Sequence, residues 1–457
     1  MNQKVVLRPY QKECLDRIKE YFRDHDRQII QLPTGAGKTV VFLSYIASIP
    51  GKTLIICPTV DLVDQVKETA EKFSNATIFA KGLRQKWKKA DITISTSAVL
   101  NYDSSKEFLN TQKFDTIIFD EAHRAQCSTY LNFLEMLDYP FKLLGCTATP
   151  ERLDRKPLLD VFGELTYTKN ILELIRGGYL CDMEAHKIKT GIKLDNLKIR
   201  SGEFIPTELK KLETPARNKI IIDTYKENCQ DKKTLVFCLS IDHSENIASM
   251  LREEGIKAEA IHGKLGAIQR RLIIKRFKSG QTKVLTNCQL LTEGFDEPSI
   301  EAILIARPTK SKALYCQMIG RGLRTYPRKE LCYLYELGDN SHNICSFNVA
   351  AGKEADFVFE YKKGTRLTEL SEELDKLTLD DVDVVKEKIN LFEGDRDYPA
   401  RGNQMNIFKT KFYTHQPTEY QKQKLKELNI DDRFVDTFLE AAFLIWKHYA
   451  RIKYGIN

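Results

Sequence analysis

Short β-branched runs alternating with amphipathic stretches constrain this chain more than any other feature. Between residues 10 and 185 the runs are QIIQL (28–32), TLIIC (53–57), ITIST (92–96), TIIFD (116–120) and LLGCT (143–147). Short β-branched runs of this length, bounded by other segments, read as buried strands of a parallel sheet. Helix-like segments such as DLVDQVKETAEKF (61–73) separate them. The alternation returns between 216 and 350 as TLVFC (234–238), AEAIH (258–262), KVLTN (283–287), AILIA (302–306) and LCYLYEL (331–337), with SENIASMLREEG (244–255) and AIQRRLIIKRF (267–277) as helices. Gly255 and Gly280 fall where C-terminal caps belong. The fold class expected is therefore α/β, with open, mostly parallel sheets flanked by helices.

A chain of 457 residues exceeds what one hydrophobic core supports. The expected domains are 1–185 and 216–350, alike in architecture but not in sequence. The polar stretch KIKTGIKLDNLKIRSGEFIPTELKK (187–211), broken by Gly191, Gly202 and Pro206, reads as an interdomain connection over 186–215. Residues 351–400 read as a charged linker and 401–457 as a small helical module. Two amphipathic helices are expected over 417–455, aromatic at Phe434, Phe438, Phe443, Trp446 and Tyr449. They suit either a packed hairpin or a docking surface for DNA or protein.

A net charge of +8 favours a polyanionic partner only weakly, because surfaces tuned for solubility reach similar values. The eleven cysteines contain no CxxC pair, so they are read as reduced, with no structural zinc expected. The start MNQKVVLRPYQ lacks an apolar signal core, and no apolar run approaches bilayer length. A cytoplasmic protein with no membrane partner is expected.

Chemistry enters at QLPTGAGKT (31–39), which follows an expected strand and opens an expected helix. Gly35 and Gly37 let the backbone turn its N–H groups toward an anion, and the helix N-terminus adds positive potential. Lys38 would reach the β/γ-phosphates of a nucleotide and Thr39 would ligate Mg²⁺. KFDTIIFDEAHRA (113–125) places Asp120, Glu121 and His123 at the carboxyl end of a strand. Asp120 suits Mg²⁺ there, and Glu121 suits the base that activates water. His123 is better placed to couple the site to its surroundings. These two elements together predict a nucleotide-hydrolysing enzyme.

The ordered motifs resemble those of superfamily-2 helicases and translocases. LRPYQ (7–11) resembles the adenine-reading motif, with Arg8 and Gln11 on the nucleotide and Gln11 on the base. GAGKT and DEAH resemble the phosphate-loop and Mg²⁺ motifs. PTVDLVDQ (58–65) and STSAVL (95–100) stand where such enzymes hold one nucleic-acid strand, and TATP (147–150) resembles the coupling motif. HGKLGAIQRR (262–271), TEGFD (292–296) and QMIGRGLR (317–324) complete the set. ERLD (151–154), GGYL (177–180) and ARPTKSKALYCQMIGRGLR (306–324) look closest to the group of XPB-like, type I/III restriction-subunit and RadD-type helicases. RadD-type proteins carry a C-terminal cysteine-rich zinc module, whereas this chain has no cysteine after Cys345.

The resemblance implies two tandem RecA-like (P-loop NTPase) domains with ATP and Mg²⁺ between them. Pro33, Thr34, Gly35, Ala36, Gly37, Lys38 and Thr39 would hold the phosphates, with Gly294 and Asp296 also on the nucleotide. Lys38, Asp120, Glu121, Arg321 and Arg324 would carry the reaction, the two arginines on one helical face reaching the γ-phosphate. His123, Thr147, Thr149 and Gln317 would couple hydrolysis to movement. Thr59, Thr96, Ser97, His262, Thr286 and Thr292 would touch the strand. The basic run KGLRQKWKK (81–89) suits either a nucleic-acid grip through Trp87 or a solvated basic helix. The implied function is an ATP-dependent helicase or translocase acting on DNA in repair, recombination, replication or phage defence. RNA is the alternative track, and a motor or interaction subunit of a restriction or antiviral complex is a further reading.

Overall fold

The computed structural model describes residues 6–375, apart from 82–84, 101–102, 125–127, 149–157, 195–196, 201–202, 289, 292–294, 341–344 and 352–361. These residues lie in one compact unit, Met1–Lys376. The expected helices of 417–455 and the module at 401–457 lie outside the described residues, as does 376–400 of the expected linker. Residues 362–375 of that linker are described and are folded instead: Thr365–Arg366 joins the second sheet, and helix Leu367–Asp375 buries Leu367 and Leu370.

The first lobe is a seven-stranded sheet of β1 (Arg27–Gln31), β2 (Thr53–Cys57), β3 (Ile78–Ala80), β4 (Ile92–Thr96), β5 (Thr116–Asp120), β6 (Lys142–Thr147) and β7 (Glu164–Thr168). Their order across the sheet is β3-β4-β2-β5-β6-β1-β7, with every pairing parallel. β2, β4 and β5 are buried at all positions, as expected of strands covered on both faces, and β4 carries Thr93, Ser95 and Thr96 into that buried setting. Ile29, Leu54, Ile117, Phe119, Leu143 and Phe162 belong to one core cluster on this sheet.

The second sheet contains β8 (Asp182–Lys193), β11 (Thr234–Phe237), β12 (Ala258–Ile261), β13 (Val284–Asn287), β14 (Ala302–Ile305), β15 (Leu331–Asn340) and β16 (Thr365–Arg366). A separate two-stranded hairpin is formed by β9 (Ile199–Arg200) and β10 (Glu203–Phe204). The order β12-β13-β11-β14-β15-β8-β16 repeats the layout of the first sheet, with only β16 antiparallel. Gly255 and Gly280 end their helices at φ +78° and +79°, as a left-handed cap demands.

A further expectation is corrected. The connection expected from 186 begins inside a strand: β8 runs from Asp182 to Lys193 and pairs with β15 from Leu331 to Asn340. Met183 and Ala185 are fully buried while Lys187 is exposed. A strand solvated on part of one face alternates with lysines and loses the apolar signature of its neighbours.

Among the described residues no helix is long and apolar enough to cross a membrane. The described cysteines carry no disulfide, and burial pushes the Cys57, Cys146 and Cys238 thiols well up.

Candidate functional site

β1 delivers the chain into Pro33–Gly37, and helix Lys38–Ile46 follows at once. Gly35 and Gly37 sit at φ +88° and +80°, a region that side chains strain to enter. A Cβ on Gly37 would also lie 2.6 Å from Gln11 Nε2. The loop is braced from outside: Tyr10 OH donates to the Ala36 carbonyl at 2.6 Å and Gln11 Nε2 to the same oxygen at 3.0 Å. Gln11 Oε1 accepts from the Arg8 N–H, capping its own helix. Gln11, expected on the base, is hydrogen-bonded to the phosphate loop.

Lys38 is 8% exposed; its ammonium donates to the Leu32 carbonyl at 3.3 Å and lies 3.5 Å from Glu121 Oε1. Glu121 follows β5 with φ +52°, a conformation rare for a side-chain-bearing residue and most often tolerated at functional sites. Burial alone would raise its carboxyl. Lys38, His123 and Arg321 outweigh that and hold it below the usual glutamate range. His123 Nδ1 lies 3.4 Å from Glu121 Oε2 and 3.1 Å from Thr147 Oγ1 at the end of β6. The expected coupling residues His123 and Thr147 are thus joined directly, while Thr149 lies outside the described residues.

Helix Lys312–Gly320 ends one residue before Arg321, which takes the C-cap position. Arg324 lies beyond the helix, in an isolated antiparallel bridge with Leu180. The expectation of two arginines on one helical face is corrected; a turn brings them together instead. Arg321 donates to the Phe295 carbonyl at 2.7 Å and Arg324 to the same oxygen at 3.2 Å, and Arg324 also pairs with the Asp296 carboxylate. Two glycines make the approach possible. A Cβ on Gly320 would lie 2.6 Å from Thr34 Cβ in the phosphate loop, and one on Gly322 would lie 2.3 Å from Cys332 Sγ. Gln317 is buried on the same helix.

These groups meet in a cleft of about 350 Å³ lined by Lys38, Thr39, Asp120 and Glu121 from the first lobe and Asp296, Arg321 and Arg324 from the second. Its backbone donors, lysine and arginines form an anion site shaped for a polyphosphate. The Thr39 hydroxyl and the Asp120 carboxylate both line this cleft and are hard oxygen donors of the kind Mg²⁺ prefers.

Three contributors carried no recognised signal. Tyr179, also in the cleft, packs at a tilt against Tyr10 with ring centroids 4.8 Å apart, and its ring lies 5.8 Å from the Arg8 guanidinium, which donates to its carbonyl. GGYL was legible as a motif, but not this aromatic wall. Lys329 Nζ donates to the carbonyls of Gly322 at 2.6 Å and Arg324 at 2.9 Å, stapling the arginine turn. Phe295 contributes a backbone oxygen, which no side-chain pattern announces.

The expected strand contacts divide. Thr59 caps helix Val60–Phe73 by accepting from Leu62 N at 3.3 Å. Thr96 and Ser97 stand at the carboxyl end of β4, and His262 at that of β12, where it pairs with Glu245 at 2.7 Å. Thr286 is corrected: it is fully buried and donates to the Ser244 carbonyl at 2.8 Å, so it cannot reach a strand. Thr292 and Gly294 lie outside the described residues. Trp87 stacks on Phe108 at 4.9 Å and donates to Ser105 at 3.1 Å. Its ring is committed to packing, which leaves Lys86, Lys88 and Lys89 exposed beside it.

Comparison with known proteins agrees with this geometry. Residues 4–152 match the family described as Type III restriction enzyme, res subunit, and residues 216–326 match the helicase conserved C-terminal domain. A Saccharomyces cerevisiae protein provisionally named ATP-dependent helicase IRC3 is 30% identical over 77% of this chain and 54% of its own length. The DNA 3'-5' translocase XPB2 of Sulfurisphaera tokodaii is 28% identical over 72% of this chain and 81% of that protein. A fragment from Vibrio vulnificus, provisionally assigned as the HsdR subunit of a type I restriction enzyme, superposes with a TM-score of 0.57 at 24% identity. It covers 74% of this chain and 65% of that one, a likeness of fold. The chain spans only 54% and 58% of two yeast relatives. With tandem RecA-like lobes, both family matches and the motifs meeting in one cleft, the chain belongs to the superfamily-2 helicases.

Proposed function

We propose that this protein is an ATP-driven motor that moves along DNA. The observation that carries the reading is the composite cleft: a phosphate loop and carboxylates from one lobe face two arginines from the other. Neither lobe holds a complete site, so closure of the lobes around ATP and hydrolysis become one event, and strand grips on the two lobes alternate.

The Lys38 ammonium, 3.5 Å from Glu121 Oε1, holds the Glu121 carboxylate low. Polyphosphate in the loop draws that ammonium away, which leaves Glu121 a stronger base for the attacking water. Thr39 and Asp120 would hold Mg²⁺, which neutralises charge on the phosphates when bound. Arg321 and Arg324 stabilise the charge that develops on the transferred phosphoryl group. His123, hydrogen-bonded to Thr147 and 3.4 Å from the Glu121 carboxylate, relays the state of the site to the end of β6.

The relative named as a DNA translocase and the restriction-subunit family favour DNA as the track. ATPase activity measured with single-stranded DNA, forked DNA, duplex DNA and RNA tests this, with Glu121→Gln as the inactive control. Stimulation by DNA is expected, and greater stimulation by RNA would reassign the track.

A further inference from the structure

The hairpin of β9 and β10 falls in the stretch whose sequence reads only as a connection, yet it is firmly built. Glu203 accepts from the Thr309 hydroxyl and from the N–H groups of Lys310 at 3.3 Å and Ser311 at 3.2 Å, which ties β10 to the loop after β14. Ile205 N donates to the Lys198 carbonyl at 3.1 Å and closes the base of the ribbon. Phe204 is 4% exposed, packs with Leu194, Leu209, Leu212 and Leu239, and has the Lys310 ammonium 5.6 Å from its ring. Its strand partner Ile199 stays 48% exposed, flanked by exposed Lys198 and Arg200. A packed ribbon that exposes an apolar side chain, with two cations at the neighbouring alternate positions, is poorly explained as a linker.

Its location supplies the second observation. β8, β11, β12, β13, β14 and β15 are mutually parallel, so their carboxyl ends share one edge of the sheet. The hairpin follows β8 at that edge and rests on Leu239, just past β11, and on the loop just past β14. His262, the candidate strand contact of this lobe, follows β12 on the same edge.

We propose that the hairpin is an additional contact for one nucleic-acid strand, resting on the reading of this protein as a nucleic-acid motor. Lys198 and Arg200 bind phosphodiester oxygens, and Ile199 lies against a base. Phosphate contacts supply affinity without sequence preference, as a moving protein requires.

The test uses the full chain and a dye-labelled oligothymidylate, with affinity read by anisotropy across a salt series. Each phosphate contact on a single strand contributes about 0.7 to the slope of log affinity against log salt. The double variant K198A/R200A should therefore lower the slope by about 1.4, while K198R/R200K restores it and unstimulated ATP turnover stays at the parental value. Ile199→Ala should weaken binding with the slope unchanged. A parental slope in K198A/R200A, or a loss that K198R/R200K does not restore, overturns the assignment and leaves the hairpin to structure or to a protein partner. A parental protein that binds no strand would instead overturn the motor reading on which it rests.

Discussion

The two lobes carry the same sheet with opposite chemistry at its edge. Position by position, β5 in the first sheet corresponds to β14 in the second, and β1 to β8. β5 ends in Asp120 and Glu121, whereas β14 runs into Ala306 and the buried Arg307. β1 ends in the phosphate loop, whereas β8 continues for twelve residues toward the hairpin. Catalytic capacity therefore resides in a few residues past the strand ends and not in the fold, which the two lobes share. The second lobe contributes by lending cations to its twin across the cleft.

The largest test of this division removes those cations. Arg324→Ala or Arg321→Ala should lower ATP turnover by about 10³- to 10⁵-fold, with ATP still bound by the first lobe in an equilibrium binding assay. A variant hydrolysing at the parental rate would break the two-lobe site. Next in size, Glu121→Gln should cost about 10²- to 10⁴-fold in kcat with little change in ATP affinity, since the amide keeps the shape and loses the base.

Acid should then separate the lobes by stability. In the second lobe His243 accepts from Leu239 N at 3.2 Å and faces Asn218 Oδ1 at 3.0 Å; burial, and then Arg217, pull it down to about 4. Between the unfolded value near 6.5 and 4, the unfolded chain binds the extra proton, so stability falls as pH falls, by about 3 kcal/mol across the window. Glu121 shifts stability in the same direction, but in a lower pH window. Its depressed carboxyl contributes above the ordinary glutamate value and loses that contribution only as pH drops through its lower folded one. Chemical denaturation at pH 7 and pH 5 should show the decline in the parental protein and a smaller one in His243→Gln. An equal decline in both would place the acid sensitivity elsewhere.

The smallest effects should come from the paired glycines. Gly322→Ala pushes a methyl into Cys332 and Ile303 within the second lobe, for a cost of about 1–3 kcal/mol in stability. Gly320→Ala meets Thr34 across the cleft, so it should leave the melting temperature nearly unchanged and raise the KM for ATP. The reverse pattern would mean that the cleft contact, and not the core, sets stability.

Legibility in the sequence followed locality. The phosphate loop needs only consecutive residues and a strand before them, so GAGKT announced itself. Asp120 and Glu121 were readable because a strand end fixes where they point. The arginine site was readable in composition but not in geometry: the helix stops at Gly320, and the turn holding Arg324 depends on Lys329, Leu180 and the Phe295 carbonyl. Thr286 failed as a strand contact because a threonine within a buried strand carries the same letters as one at its tip. β8 was hidden because its lysines face water on one side, and only pairing with distant β15 makes it a strand.

The crossing between the lobes, finally, has no slack. Tyr179 and Leu180 both donate backbone N–H groups to the Leu174 carbonyl, Leu180 bridges Arg324, and Cys181 N donates to the Leu323 carbonyl at 2.8 Å. In the proposed motor cycle the lobes would swing about this join and not drift apart like beads on a string. The pivot would then coincide with the nucleotide wall and the arginine turn, the parts that must stay in register with ATP. The points of the second lobe most distant from that pivot would travel furthest, so a small angular change would become a long stride at the rim.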